Sequence, residues 1–358
     1  MARFERVGIF GVGLLGGSLG MGLRERFLAD EVVAYDPNPN ALGGALAVGA
    51  ADRIEPSLGP WVAELDLGIL AAPVGALPGL GAEVARLAGA GTLWTDVGSV
   101  KAPVVAALET ILPRFVGGHP MAGSEQAGVE NAHAGLLENA TWVLTPTERS
   151  NPKDIELLKG LVRDLGAYPL LLPPDLHDRL VARISHLPYL LAVALNLLVG
   201  SDPDRDTLIY LAAGGFRDLT RTASGSPVMS RDMVATNKEA LRLAAADLQE
   251  LLSELVRKLD DPEALLAAAS EAKRVRDSLP VVKRSLLPVQ YDLVVAVADR
   301  PGELARITSA LAAANVNIKD IEVLNVRDEG GAIRLGFASA AEKEAGRAVL
   351  EAGGYRTR

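Results

Sequence analysis

Residues 6–16 read Arg-Val-Gly-Ile-Phe-Gly-Val-Gly-Leu-Leu-Gly. The first five form a short apolar run, predicted as a strand. Gly11, Gly13 and Gly16 then fall in the spacing GxGxxG, ahead of a helix-like stretch at 19–27. Each glycine has a physical use in this setting. Gly11 permits a tight turn, Gly13 lets backbone approach a pyrophosphate, and Gly16 allows close helix–strand packing. A helix opening near Leu14 and Leu15 offers unpaired N–H groups to phosphates. The next predicted strand, 31–35, runs into Asp36, whose carboxylate suits ribose hydroxyls and repels a 2′-phosphate. A glycine-rich structural turn is the plainer alternative. The strand before, the helix after and the acid beyond favour a dinucleotide loop that takes NAD rather than NADP.

Outward from this loop the pattern repeats. Strands are predicted at 67–70, running into Ala71-Ala72-Pro73, at 92–95, leading to Asp96, and at 115–116, leading to Gly117-Gly118-His119. Two more follow at 141–144 and 168–171. Strands alternating with helices imply βαβ units and a parallel sheet, with Ala72 and Pro73 on its cofactor edge. From 175 to about 279 helical periodicity takes over. Leu241, Leu248, Leu252, Leu255 and Leu259 share one face at spacings of seven, four, three and four. That face exceeds what a small domain buries alone and predicts a homodimer. A connector follows at 279–288. The tail then reads as strand 291–297, a helix opened by Arg300-Pro301-Gly302 and running to 314, strands 316–323 and 333–337, and a helix at 342–352. The fold class is therefore α/β, in three parts: a Rossmann domain over 1–173, an all-helical substrate and dimerisation domain over 174–285, and a small α+β unit of βαββαβ order over 286–358.

The 358 residues suggest two to three domains at roughly 150 residues each. Cysteine is absent, which excludes disulfides, thiolate metal sites and a cysteine nucleophile. With only four histidines a His-rich metal site is not expected, and a net charge of −9 argues against nucleic acid. The N-terminal apolar run is rich in Gly and is followed by Arg24-Glu25-Arg26 without a cleavage pattern. The later run at 189–200 is interrupted by Asn196 and too short to cross a bilayer. A cytoplasmic protein with no membrane partner is expected.

Four further motifs carry candidate chemistry. Thr95-Asp96-Val97-Gly98-Ser99-Val100-Lys101 lies at a strand's C-terminal end, the ligand edge of an open α/β sheet, although Ser99 equally suits a helix cap. Gly117 to Glu125, including Ser124, is expected as another strand-end loop. It presents His119, a natural proton acceptor near neutral pH, to a cleft. In Ser185-His186-Leu187-Pro188-Tyr189 the proline kinks a helix, and His186 and Tyr189 share a face. The alternative there is a satisfied histidine at a helix crossing. Gly214-Gly215-Phe216-Arg217-Asp218-Leu219-Thr220-Arg221 sets two arginines at i and i+4, fit to grip carboxylates or to form a solvated basic face.

In this order and spacing, GxGLxGGS, DVGSVK, GGHPMAGSE, SHLPY and GGFRDLTR resemble the prephenate and arogenate dehydrogenases of tyrosine biosynthesis, over about residues 1–285. The tail, with Arg300-Pro301-Gly302 and Asn315-Val316-Asn317-Ile318, looks like an ACT domain. The resemblance implies NAD-dependent oxidative decarboxylation of prephenate to 4-hydroxyphenylpyruvate. The alternatives are the same reaction on arogenate or, from another class, a non-catalytic sensor of NAD and an amino acid. It implies that His119 takes the substrate hydroxyl proton and that Ser99 hydrogen-bonds His119 or that hydroxyl. Arg221 would anchor a carboxylate. His186, Tyr189, Gly214, Gly215 and Ser124 would complete the substrate set. Pro301, Gly302 and Asn317 would form a regulatory site for an effector such as tyrosine. The chain departs from many relatives in having Tyr189 where they carry a second His, and from some in having Ser230 before Arg231. A β-hydroxyacid dehydrogenase would place a catalytic Lys in the helical domain, a part Lys238 beside Asn237 could imitate, but that leaves HPMAGSE unexplained.

Overall fold

The computed structural model describes residues 3–122, 126–278, 291–298, 300–327 and 330–357. It divides into two compact units, Met1–Ser278 and Leu279–Arg358.

The first unit begins with an eight-stranded sheet. Its strands are β1 (Phe4–Phe10), β2 (Ala29–Tyr35), β3 (Arg53–Glu55), β4 (Leu67–Leu70), β5 (Leu93–Asp96), β6 (Phe115–Pro120), β7 (Thr141–Thr145) and β8 (Tyr168–Leu171). The order is β3-β2-β1-β4-β5-β6-β7-β8. Strands β1 to β6 run parallel, as the alternation of elements requires. The expectation of a wholly parallel sheet is corrected at β7, which pairs antiparallel with β6 and parallel with β8. Among its described residues, the link from β6 to β7 holds a single 3-10 turn, Val129–Asn131, rather than a crossover helix. The helices are α1 (Leu14–Glu25), α2 (Pro39–Ala47), α3 (Leu77–Ala85), α4 (Ala102–Leu108) and α5 (Pro152–Asp164).

Side chains along the central strands alternate between two buried clusters. Val32 and Ala34 join one with Val7, Ile9, Leu67 and Ile69; Val33 joins the other with Phe10, Leu70 and Trp94. Both faces of the sheet are thus covered, which is why its strands read as unbroken apolar runs.

The rest of the unit is helical: α6 (Pro174–Val181), α7 (Leu187–Gly200), α8 (Arg205–Leu211), α9 (Gly214–Thr220), α10 (Pro227–Thr236), α11 (Lys238–Arg257) and α12 (Pro262–Ser278). A π-helical turn, Ala182–His186, joins α6 to α7. Pro188 lacks an N–H to return to the preceding turn, and the widened turn accommodates the break. Helices α4 and α6 pack together, as do α10 and the 3-10 turn Val74–Ala76 that follows β4. The expectation that the run at 189–200 is too short for a bilayer is corrected: it belongs to a continuous helical stretch, Pro174–Gly200, long and apolar enough to cross a membrane by length and composition, and 22% of that apolar window is buried. Of the five aligned leucines, Leu241 is buried, while Leu252 and Leu259 are exposed.

The second unit is β9 (Tyr291–Val297), α13 (Glu303–Ala313), β10 (Asp320–Arg327), β11 (Gly330–Phe337), α14 (Ala340–Ala352) and β12 (Arg356–Thr357), the expected βαββαβ order. Its antiparallel sheet runs β10-β11-β9-β12 over a core of Leu293, Val295, Ile307, Leu311, Leu335, Phe337 and Leu350. The predicted strand at 316–323 starts late, at Asp320, because Asn315 has φ +56° and turns the chain out of the helix.

Candidate active site

At the end of β1 the chain turns sharply through Gly11, with φ +106°. The next loop is held from β2: Tyr35 O accepts from Gly11 N at 2.8 Å, and Asp36 Oδ2 accepts from Val12 N at 2.9 Å. Asp36 Oδ1 accepts from Asn38 N at 2.8 Å. A Cβ at Gly16 would lie 1.9 Å from the Gly11 carbonyl oxygen, so only glycine lets α1 approach this closely. Gly13, at the N-cap of α1, has open space where its Cβ would be. That helix end carries no side-chain cap and no acid in its first turn, with Leu14 and Leu15 half-buried behind it. Ala72, half-buried, and Pro73, exposed, follow β4 beside Gly11. An uncapped helix N-terminus facing open space beside a carboxylate suits a dinucleotide's phosphates and ribose.

His119 does not stand in a loop. Strand β6 continues through Pro120, and His119 pairs with Val143 of β7. Its half-buried ring meets a partner that sequence reasoning did not single out: Nδ1 lies 2.9 Å from His177 Nε2. His177 is almost fully buried in α6, and its Nδ1 lies 2.8 Å from Asp178 Oδ1. Asp178 is fixed in turn by the N-terminus of α4. Its Oδ1 accepts from Lys101 N at 2.7 Å, and its Oδ2 from Ala102 N at 2.8 Å. The cap of α4 therefore comes from Asp178 and not from Ser99, which is half-buried in the bend after β5.

With both rings neutral, the chain of partners fixes the tautomers. An ionised carboxylate only accepts, so His177 donates from Nδ1 and its Nε2 carries a lone pair. His119 then donates from Nδ1, and its Nε2 is the basic nitrogen. Beneath this chain Lys101 and Asp96, both fully buried, form an ion pair. Burial pushes the Lys101 ammonium down, and Asp96 opposes the shift.

The expectation that His186 faces a cleft is corrected. Its side chain is fully buried in the π-helical turn, and its Nδ1 accepts from Asn237 Nδ2 at 3.1 Å. Asn237 also donates to Asp178 O at 2.9 Å. His186 Nε2 has no hydrogen-bond partner among the described residues. Burial, with a smaller push from His177 against the pull of Asp178, lowers its pKa from 6.5 to about 4. The folded chain thus keeps this ring neutral, while the unfolded chain protonates it below 6.5. Stability from this group is full above pH 6.5 and drains as pH falls towards 4, by about 2 kcal/mol at pH 5. Urea unfolding at pH 7.5 and pH 5 should show His186→Gln losing that much less than the parent chain; equal losses would refute the assignment.

Arg221 caps the end of α9 in the same unit. With Arg217, Asp218, Asn196, Leu197 and Ser224 it lines an open groove between α7 and the end of α9. Gly214 and Gly215 begin α9 and are exposed, and Tyr189 is half-buried on α7. Ser230 precedes Arg231, which pairs with Asp232, and the Asp232 carboxylate packs on Gly75 beyond β4. Ser124 lies outside the described residues. In the second unit Pro301 and Gly302 (φ +88°) precede α13, and Asn317 precedes β10; all three are exposed.

The family model described as the prephenate dehydrogenase nucleotide-binding domain matches residues 19–170, and that for the dimerization domain of the same enzyme matches 173–267. The chain belongs to the prephenate dehydrogenase family. An ACT domain model matches 291–349. Prephenate dehydrogenase of Bacillus subtilis is 33% identical, over 96% of this chain and 94% of its own length. Among solved structures, Aquifex aeolicus prephenate dehydrogenase in complex with hydroxyphenyl propionate and NAD+ superposes with a TM-score of 0.73 at 33% identity. It covers 77% of this chain and 98% of that one. Synechocystis arogenate dehydrogenase follows with a TM-score of 0.68 at 27% identity, covering 77% and 100%.

Proposed function

We propose that this chain oxidises and decarboxylates prephenate to 4-hydroxyphenylpyruvate in tyrosine biosynthesis, with NAD as cofactor and His119 as general base. The observation that carries the site assignment is the hydrogen-bonded series His119–His177–Asp178, which leaves His119 Nε2 as the basic nitrogen. NAD, when bound, supplies the hydride acceptor. The α1 N-terminus and Gly13 suit its pyrophosphate, with Leu14, Leu15, Ala72 and Pro73 along its path, and Asp36 suits its adenosine ribose. His119 takes the proton of the ring hydroxyl as that carbon gives up hydride. The bond to the ring carboxylate then breaks, its electron pair enters the ring, and carbon dioxide leaves. The resulting phenolate oxygen recovers a proton, which His119 is placed to return. Aromatisation drives the step, so the protein supplies orientation and proton transfer. Positive charge developing on His119 is stabilised, through the intervening His177, by the Asp178 carboxylate, which stays ionised.

Arg221 is the proposed carboxylate anchor, by its place with Arg217 in the helical groove. Ser99 is proposed for the substrate hydroxyl, with Tyr189, Gly214, Gly215 and Ser124 towards the side chain. His186, sealed from solvent, supports the fold beneath them. The proposed division is 1–173, 174–285 and 286–358, and the proposed location is the cytoplasm. A homodimer accounts for the apolar surface of the helical part, where Leu197, Leu198 and Tyr210 are 67%, 69% and 88% exposed. It also accounts for the apolar stretch Pro174–Gly200 without a membrane. The last unit is the proposed tyrosine site, through Pro301, Gly302 and Asn317.

One assay tests the reading: NADH formation with prephenate and with arogenate, each with NAD and NADP, with and without tyrosine. Prephenate with NAD should be the productive pair. Like charges facing each other cost several kcal/mol, so kcat/KM for NAD should exceed that for NADP by about 10²-fold or more. Faster turnover of arogenate moves the enzyme to that substrate, and equal use of NADP removes the role given to Asp36.

A further inference from the structure

We propose that the buried Lys101–Asp96 pair is a positioning device for the His119 imidazole, acting through the Gly118 peptide and through Asp178. The proposal rests on the reading of His119 as the base. Strand β5 pairs with β6 only at Trp94↔Phe115 and Thr95↔Val116. Beyond Val116 the two strands no longer form a ladder, and the backbone groups of Gly118 on that side need other partners. The ion pair supplies them. Gly118 N donates to Asp96 Oδ1 at 3.0 Å, and Lys101 Nζ donates to Gly118 O at 2.7 Å. Asp96 Oδ2 also accepts from Gly98 N at 2.8 Å. Two charged side chains thus replace a missing strand, one residue before His119. The approach is tight: a Cβ at Gly118 would lie 2.6 Å from Asp96 O and 2.8 Å from Trp142 Nε1.

The same lysine holds the other end of the histidine. Its backbone N–H fixes Asp178 Oδ1, Asp178 meets His177, and His177 meets the His119 ring. The path from Gly118 through Lys101, Asp178 and His177 returns to His119 and closes a ring around it. Stability alone is a poor reason for such a pair, because desolvating two ions often costs more than their attraction returns. Its use is directional, since it sets where the His119 backbone sits and where its ring points.

The test uses the full chain with Lys101→Met, and with Asp96→Asn/Lys101→Met, which leaves no lone buried charge. The expected result is a folded protein whose NAD affinity, read by titration, is unchanged. Its kcat for prephenate falls by about 10²-fold, the scale of a misplacement near 1 Å. The 15N spectrum, simple with only four histidines, should show His119 losing its single Nδ1–H tautomer. A purely structural pair would lower thermal stability without moving that tautomer or the kcat of the folded fraction. Unchanged kcat and tautomer in either folded variant overturn the proposal. So does a collapse of NAD affinity that accounts for the lost rate, and so does failure of both variants to fold. The His119→Asn control separates the two readings. If it is active, the general-base assignment falls and takes the clamp with it; if it is inactive while Lys101→Met is normal, only the clamp falls.

Discussion

Replacing His119 with Asn should lower kcat by about 10²- to 10⁴-fold while KM for prephenate changes little, the signature of a group that acts on the proton in the transition state. Asparagine keeps the approximate size and polarity of the ring and can still reach His177, but it cannot accept the hydroxyl proton. A general base at His119 must be neutral, so kcat/KM of the parent should fall as acid protonates that ring, and the variant should lack this limb. Initial rates across pH for both proteins decide the matter. A variant that keeps its turnover and its acid limb would show that the base lies elsewhere.

Asp178→Asn should cost kcat about as much, about 10²- to 10⁴-fold, although its side chain is not expected to touch substrate. The carboxylate receives three N–H groups: Lys101 N and His177 Nδ1 at Oδ1, and Ala102 N at Oδ2. An amide offers one oxygen to three donors. With its NH2 towards His177, it inverts that ring's tautomer, which in turn inverts His119 and protonates the basic Nε2. With its NH2 towards Ala102, it preserves the tautomers but takes away the negative charge that balances a protonated His119. Both orientations also set a donor against a backbone N–H of α4, so a stability loss of about 1–2 kcal/mol accompanies the change. Kinetics on protein verified as folded, with urea unfolding alongside, separate the two effects. A fall in stability with kcat within tenfold of the parent would limit Asp178 to capping α4.

Regular and local features were the legible ones. The GxGxxG loop, the strand ending at Asp36 and the βαββαβ tail are consequences of short-range rules: turn geometry, period-2 burial and helix starts act over a few residues. The all-helical stretch after Pro174 was readable for the same reason. The antiparallel entry of β7 was not, because strand direction depends on how the link from β6 crosses the sheet end, and its 3-10 turn carries no strong signal. Strand β6 runs four residues past the expected 115–116, because Gly117-Gly118-His119-Pro120 has the composition of a loop. Glycines there serve close packing, Gly117 against Thr145 and Val105 and Gly118 against Asp96 and Trp142, not a turn.

The candidate site divides the same way. His119 announced itself by type and by its place at a strand end. His177 and Asp178 did not, since an adjacent His and Asp near the start of a short helix ordinarily read as a solvated face. Their role exists only because α6 packs against α4 and brings residues 58 positions apart within 2.9 Å. His186 shows the converse: its motif predicted a cleft, and burial beside Asn237 made it part of the interior. Sequence by itself determined the element types and the cofactor loop and pointed to His119 as the candidate base, because these follow from residue chemistry and spacing along the chain. Tertiary structure decided which nitrogen of that base is basic and what holds it, because proton placement in a low-dielectric interior is set by neighbours that only the packing of distant segments brings together.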